Sequence, residues 1–438
     1  MIEQLAEMPT YGAYKDSGEA WISEIPNHWE IRKLKQIFYE KKHTKNLELN
    51  CGSISYGRVV IKDDEKIPNS TKASYQEVLK GEFLINPLNL NYDLVSLRIA
   101  LSFIDVVVSP GYIVLKTIKN TDDNYFKYLL HRYDVAYMKL LGSGVRQTIS
   151  FNHISNSVLL FPPLFEQTAI AAFLDRKTAQ IDQAVAIKEQ QIALLKEHKQ
   201  ILIQTAVTRG LDPNVPMRDS GVKWIGEIPA HWDVKPITKY ATRVDYRGKT
   251  PEKVEEGVFL ITTKNIKDGQ INYEISKEFI ANKDYNSVMS RGLPKIGDIL
   301  FTMEAPLGMS AVVDNERIAI AQRIIKFSFN NSYFISEFVN YSMQAKYFQN
   351  FLQREGTGST AIGIKASKLH KLKLIQPLIE EQTAIVTHIE TQSAKIELAI
   401  AIQQQQIDKL KEYKATLINS AVTGKIRVAE SVQCGSEL

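Results

Sequence analysis

Two stretches of this chain share one pattern of apolar and polar positions. In the first, Leu174, Ile181, Leu195 and Leu202 recur every seven residues, with Lys188 in the same row. Val185, Ile192 and Ala206, with Lys199, form a second row. In the other stretch the rows are Ile389, Ile396, Gln403, Leu410 and Leu417, and Ile400, Ile407, Lys414 and Ala421. Spacings that alternate between four and three make a heptad seam, the signature of helices that pair along their length. Neither stretch contains Pro or Gly, and about 42 residues at 1.5 Å each predict rods of about 60 Å. Pro162, Pro163 and Pro377 precede the rods, and Arg209-Gly210 and Thr423-Gly424 follow them, as helix stop signals should. A long helix lying on one globular domain is the competing reading. Two stripes whose polar interruptions fall at matching places favour mutual, antiparallel pairing within one chain, because polar seam residues fix register.

The rods are part of a larger repeat. Residues 16–29 (DSGEAWISEIPNHW) match residues 219–232 (DSGVKWIGEIPAHW) at 10 of 14 positions, offset by 203. Residues 167–208 match residues 382–423 at 21 of 42 positions without a gap, offset by 215. The order is short motif, divergent region, long motif, and then all three again. The divergent regions, about 30–160 and 233–375, are expected to act differently on a shared scaffold.

Both divergent regions read as mixed α/β. Strands are predicted at Tyr112 to Leu115, Val158 to Phe161, Val258 to Thr262, Ile299 to Thr302 and Ile318 to Phe327, and helices near 122–140 and 332–353. Gly-Glu-Phe-Leu-Ile at 81–85 and Gly-Asp-Ile-Leu-Phe at 297–301 look like equivalent turn-then-strand elements. Several loops carry chemistry suited to base edges and phosphates. Arg146-Gln147, after the turn Gly142-Ser143-Gly144, pairs a guanidinium that fits guanine with an amide that fits adenine. Lys264-Asn265 sets a phosphate contact beside another such amide. Tyr246-Arg247-Gly248-Lys249-Thr250 is a basic loop with an aromatic, and Tyr56-Gly57-Arg58 resembles it. After Gly356-Thr357-Gly358 comes Ser359-Thr360-Ala361, with Lys365 beyond. The candidate DNA-binding set is therefore Tyr56, Arg58, Arg146, Gln147, Arg247, Lys249, Thr250, Lys264, Asn265, Thr360 and Lys365. Each alone could be a solvated loop residue; what singles them out is their place in matched domains.

Composition narrows the partners. The net charge of +5 among 438 residues suits a polyanion without requiring one. Two cysteines, Cys51 and Cys434, cannot make a four-ligand zinc site, no metal site is expected, and a reduced, cytosolic protein is the simplest reading. The first residues are too acidic and polar for a signal peptide, and no apolar run of about 18 residues predicts a membrane span. There is no nucleotide cradle of the Gly-x-x-x-x-Gly-Lys-Ser/Thr kind, no methyltransferase Asn- or Asp-Pro-Pro-Tyr/Phe tetrapeptide, and no credible nucleophile–base pair. Asp63-Asp64-Glu65-Lys66 could mimic nuclease carboxylates but reads better as a charged turn.

The layout resembles the specificity subunits of type I restriction-modification systems. Asp16-Ser17-Gly18 with Trp21, Ile25-Pro26 and Trp29, their counterparts from Asp219 to Trp232, Pro163-Leu164 with Glu166-Gln167-Thr168-Ala169-Ile170, Phe173-Leu174-Asp175, Leu194-Leu195-Lys196-Glu197, Ala206-Val207-Thr208 and the closing Val422-Thr423-Gly424-Lys425 carry it. Lys264-Asn265-Ile266, Gly144 to Gln147 and Glu304-Ala305-Pro306-Leu307-Gly308 resemble pieces of such target-recognition domains. The second copy departs from the first: where Arg146-Gln147 stands, it has Thr360-Ala361, so base contacts do not transfer between copies. The resemblance implies an α+β fold, with two pseudo-symmetric mixed α/β target-recognition domains joined by two long antiparallel coiled-coil helices. Its expected divisions are a first recognition domain at 1–162, a spacer helix at 163–210, a second recognition domain at 211–377, a second spacer helix at 378–427 and a tail at 428–438. It also implies a non-catalytic, cytoplasmic subunit that reads an asymmetric, bipartite site in double-stranded DNA. Two modification subunits using S-adenosylmethionine would methylate adenine, and restriction subunits using ATP and Mg would cut, with no cofactor bound by this chain. A stand-alone nuclease and a coiled-coil scaffold that ignores DNA are the alternatives.

Overall fold

The computed structural model describes residues 7–65, 67–88, 97–118, 120–138, 149–246, 251–358 and 362–428. It divides into two compact units, one made of residues 1–188 and 405–438, the other of 189–404. The division runs through the two long helices, Leu164–Arg209 and Ile379–Val422. Each unit thus holds a divergent region, the first half of the helix that follows it and the second half of the other long helix.

Within each unit the two half-helices pair antiparallel. In the first, Lys414 Nζ lies 2.7 Å from both carboxylate oxygens of Asp182, and Lys188 bonds Gln406. In the second, Lys199 Nζ lies 2.6 Å from Glu397 Oε1. Lys199 and Lys414 are equivalent in the repeat, and so are Asp182 and Glu397. One ion pair therefore occurs twice at one register. Exposed pairs of this kind add little stability, typically about 0–1 kcal/mol, but they penalise a slipped register. Leu174, Ile181, Ile389, Ile396, Ile407 and Leu417 are buried, and Val185, Ile192, Leu195, Leu202, Ile400 and Leu410 are half-buried.

Both divergent regions contain the same antiparallel sheet. In the first unit its order is Phe38–Glu40, Ile113–Thr117, Phe83–Ile85, Ile99–Leu101. In the second it is Ala241–Asp245, Ile324–Phe329, Ile299–Thr302, Ser310–Val312. Gly81 and Gly297, both at φ 88°, turn the chain into the equivalent central strands, in a left-handed conformation that glycine adopts without strain. Side chains alternate across each sheet. Phe83, Ile85, Ile113 and Leu115 pack on Phe126, Leu129 and Tyr133 of helix Asp123–Ala136, while Leu84 and Val114 face Val78, Val106 and Val108. In the second unit Ile299, Phe301, Ile325 and Phe327 pack on Phe338, Val339 and Phe348, while Leu300 and Ile324 face Val258, Leu260 and Ile318.

Two predicted elements are divided. The run Ile318 to Phe327 forms two strands in different sheets: Ile318–Ile320, parallel to Val258–Ile261, and Ile324–Phe329. Between them Arg323 takes φ 78° and turns the chain. The helix near 332–353 is Ser336–Gln344 and Lys346–Glu355, broken where Ala345 is extended at ψ 147°. No helix of the described residues is long and apolar enough to cross a membrane.

The short motif and the start of each long helix meet at one carboxylate. Glu166, in the first helical turn and 2% exposed, accepts from Trp29 Nε1 at 3.0 Å and Tyr11 Oη at 2.7 Å, and contacts His28 Nε2 at 2.5 Å. Glu381 accepts from Trp232 Nε1 at 3.0 Å and contacts His231 Nε2 at 2.8 Å. The next residue ties the helix to the divergent region. Gln167 accepts from Asp122 N–H at 3.0 Å and donates to Pro162 O at 2.8 Å; Gln382 accepts from Ile335 N–H at 2.8 Å and donates to Pro377 O at 3.0 Å. The same tryptophans receive a helix end. A Cβ on Gly424 would lie 3.1 Å from the Trp29 ring and 2.5 Å from Pro26 Cδ, and one on Gly210 would lie 3.2 Å from Trp232. Both glycines are left-handed, at φ 73° and 76°, as helix C-caps require.

Two outcomes are expected. Glu166→Ala leaves the buried Trp29 donor and the half-buried Tyr11 donor unsatisfied and is expected to cost about 1–3 kcal/mol in urea unfolding, while Glu166→Gln costs less. For Glu381, burial pushes the carboxyl pKa up, but the His231, Trp232 and Leu378 N–H contacts outweigh it and hold it below the usual value. A depressed folded pKa stabilises above the unfolded pKa and loses that stabilisation as pH falls through the folded one. The stability gap between wild type and Glu381→Gln is therefore expected to be full at neutral pH and to shrink in acid below about pH 4.5, measured by chemical unfolding across that range.

Candidate nucleic-acid interface

In the second unit several loops converge at one end of the sheet. Past Thr302 the chain turns through Glu304–Gly308, held by Thr302 Oγ1, which donates to Pro306 O at 2.6 Å and accepts from Met309 N–H at 2.9 Å. Thr263 Oγ1 donates to Ala305 O at 3.0 Å, which joins the loop carrying Lys264 to this turn. Thr357 and Gly363 exchange backbone hydrogen bonds at 2.9 and 3.0 Å, and Ile364 N–H donates to Met303 O at 2.9 Å, which brings in the loop carrying Lys365. Lys264 and Lys365 are both exposed. Two cations on loops stitched to one turn can sit against phosphates.

Asn265 does not belong to that set. It is fully buried; its Oδ1 accepts from Thr262 N–H at 2.9 Å and Thr262 Oγ1 at 2.8 Å, and its Nδ2 donates to Asn272 O and Ser276 O at 2.9 Å. The amide shapes its loop from within and has no edge left for adenine. Tyr246, read as the aromatic of a basic loop, is also a core residue, 7% exposed, with its hydroxyl donating to Gly292 O at 2.7 Å. Arg247, Lys249 and Thr250, and Thr360 of the later loop, lie outside the described residues, as do Arg146 and Gln147.

In the first unit Tyr56 and Arg58 sit at the tip of the hairpin Gly52–Ser55 and Arg58–Ile61. Tyr56 takes φ 47° and is 90% exposed, and Arg58 is exposed. Next to Tyr56, Gly57 takes φ 70°, and a Cβ there would lie 2.7 Å from Leu97 Cδ1 and 3.2 Å from His131 Nε2. The hairpin tip is thus seated on a half-buried histidine whose ring nitrogen Nε2 is buried and whose pKa burial pushes down to about 4, which leaves it neutral at neutral pH. An exposed aromatic beside an arginine on a rigid hairpin is suited to a base face or a phosphate.

The acidic turn is structural. Asp64 accepts from Cys51 N–H at 2.8 Å and pairs with Lys72 at 3.0 Å, and burial, which would raise its pKa, is outweighed by those bonds. Among the described residues no group of three or more His, Cys, Asp or Glu could hold a metal ion. Sequence reading missed the pairing of Arg323 with Glu304, 3.0 Å from Nε to Oε1. The available signal was a polar Gln322-Arg323 inside a run otherwise read as one apolar strand.

Comparison with known proteins agrees with this architecture. The family described as type I restriction modification DNA specificity domain matches residues 26–197 and 246–412, most of the chain and one match per repeat. The chain is similar to the type I restriction enzyme MjaVIII specificity subunit of Methanocaldococcus jannaschii, 26% identical with 71% of this chain and 72% of that one covered. It is also similar to the putative MjaX specificity subunit of that organism, 25% identical with 93% and 96% covered. A solved chain described as "Structural basis underlying complex assembly and conformational transition of the type I R-M system" has the same fold, with a TM-score of 0.66 at 14% identity, covering 91% of this chain and 98% of that one. Sequence repeat, matched sheets and family profile together place this chain in the type I restriction modification DNA specificity domain family.

Proposed function

We propose that this chain is the DNA-sequence-reading subunit of a type I restriction-modification complex and recognises an asymmetric, bipartite site in double-stranded DNA. The observation that carries this is one sheet built twice and bearing unlike loops, with the paired long helices repeated beside it. A shared frame with different loops is what reading two different half-sites requires. Tyr56 and Arg58, with Arg146 and Gln147, serve the first half-site. Lys264 and Lys365, with Arg247, Lys249, Thr250 and Thr360, serve the second. The chain supplies the address and not the chemistry. Two modification subunits bring S-adenosylmethionine and methylate adenine, restriction subunits bring ATP and Mg, and this chain binds none of these cofactors itself. The repeated helices set the gap between half-sites and offer each modification subunit an equivalent seat. Asp64, held by Cys51 N–H and Lys72, gives no support to a stand-alone nuclease.

The experiment for this reading is mapping methylated adenines in a host genome with and without the gene: a split motif is expected to disappear with it, and an unchanged methylation pattern would overturn the reading. Phosphate contacts bring a salt signature. Binding of the complex to duplex DNA is expected to weaken steeply as salt rises, and Lys264→Ala with Lys365→Ala to lower the slope of log K against log salt by about 2 without changing the preferred sequence. Salt-independent binding would favour a scaffold. Adding one heptad to both long helices at equivalent places is expected to widen the recognised gap and leave both half-sequences unchanged; methylome mapping of that variant shows whether it does.

A further inference from the structure

The sheet of the second unit ends in an arrangement that its counterpart lacks. Thr302 pairs with Ile324 across the two central strands, and just beyond it Met303 N–H donates to Arg323 O at 2.8 Å. Arg323 holds φ 78°, a conformation uncommon for a side-chain-bearing residue and costly unless its surroundings impose it. Its Nε lies 3.0 Å from Glu304 Oε1, with the two side chains 49% and 41% exposed. Glu304 is itself fixed. It bridges to Gly363, where a Cβ would lie 3.0 Å from the Glu304 Cβ. The pair therefore sits among the loops that carry Lys264 and Lys365.

An arginine whose Nε is engaged by a carboxylate has its guanidinium plane set. Its terminal nitrogens form a two-donor edge that fits the O6 and N7 acceptors of guanine in the major groove. A carboxylate beside it can also accept from the cytosine amine of such a base pair. The alternative is a structural staple. Ion-pair staples within one divergent region are buried, as at Arg98 with Asp134 and Lys326 with Asp298, and those of the joint and seam occur in both units, at Glu166 and Glu381, Gln167 and Gln382, and Asp182 and Glu397. This pair is neither buried nor repeated. The sheet registers place Gly111 where Arg323 stands and Leu88 where Glu304 stands, and neither side chain can hydrogen-bond a base. A half-exposed polar pair present in one reader and absent from the other has the exposure and the distribution expected of specificity.

We propose that Arg323, held in position by Glu304, reads a guanine in the half-site bound by the second unit. This rests on the proposed role of the chain in reading DNA. The test uses the full chain co-expressed with its modification subunits, with methylated adenines mapped across a host genome. The wild type is expected to give a split motif with a guanine in one half. Arg323→Ala is expected to lower preference for that guanine about tenfold or more and to leave the other half unchanged. Arg323→Lys keeps the charge without the fork and is expected to lose the same preference with less loss of overall methylation. Glu304→Gln is expected to lose part of it. A wild-type motif with the same guanine preference in Arg323→Ala and Arg323→Lys overturns the assignment alone. So does loss spread over both halves, or abolition of all methylation by Arg323→Lys. A wild-type chain that yields no split motif overturns the underlying reading and the assignment with it.

Discussion

The structure depends on a carboxylate at the start of each long helix, buried at Glu166 and half-buried at Glu381. Glu166 and Glu381 are repeat equivalents, and each gathers the indole N–H and the imidazole of a His-Trp pair. A carboxylate in the first turn also suits the positive end of the helix dipole. The same tryptophan carries the glycine that ends a long helix, so one residue pair fixes where a helix begins and where one stops. Gln167 and Gln382 extend the junction to the divergent region, through Asp122 N–H in one unit and Ile335 N–H in the other. Short motif, helix start, helix end and reader are thereby one structural joint, built twice.

That joint explains why the repeats differ so unevenly. Residues at the joint and in the seam have partners on several elements, and a change at one would disturb the others. Exposed loop residues such as Lys264 and Lys365 meet no such demand. The Asp182–Lys414 and Glu397–Lys199 pairs keep one register, while Arg323–Glu304 has Gly111 and Leu88 as its counterparts. The residues that hold the frame and those proposed to read DNA are thus separate sets.

The scaffold was legible in the sequence because it rests on periodicity and repetition, which need no knowledge of tertiary contacts. Heptad rows, glycine stops and the Gly-Glu/Gly-Asp strand entries all lie where the pattern placed them. The acids that pair with Lys199 and Lys414 were not seen, because they flank the seam and only the antiparallel register brings them across. The reading chemistry was harder. Asn265 has the right side chain for adenine in a polar loop, but burial turned its amide inward, and exposure cannot be read from residue type. Arg323 was read into one apolar run because the polar step Gln322-Arg323 does not by itself announce the left-handed turn that separates two strands.

The central claim is that two unlike readers on equivalent frames each specify half of a split site. Its most direct measurement replaces residues 30–160 with a copy of residues 233–375 and maps adenine methylation by the assembled complex. Two identical readers should give a split motif whose halves carry the same sequence, that of the original second half. A motif that keeps its original two halves would contradict the account.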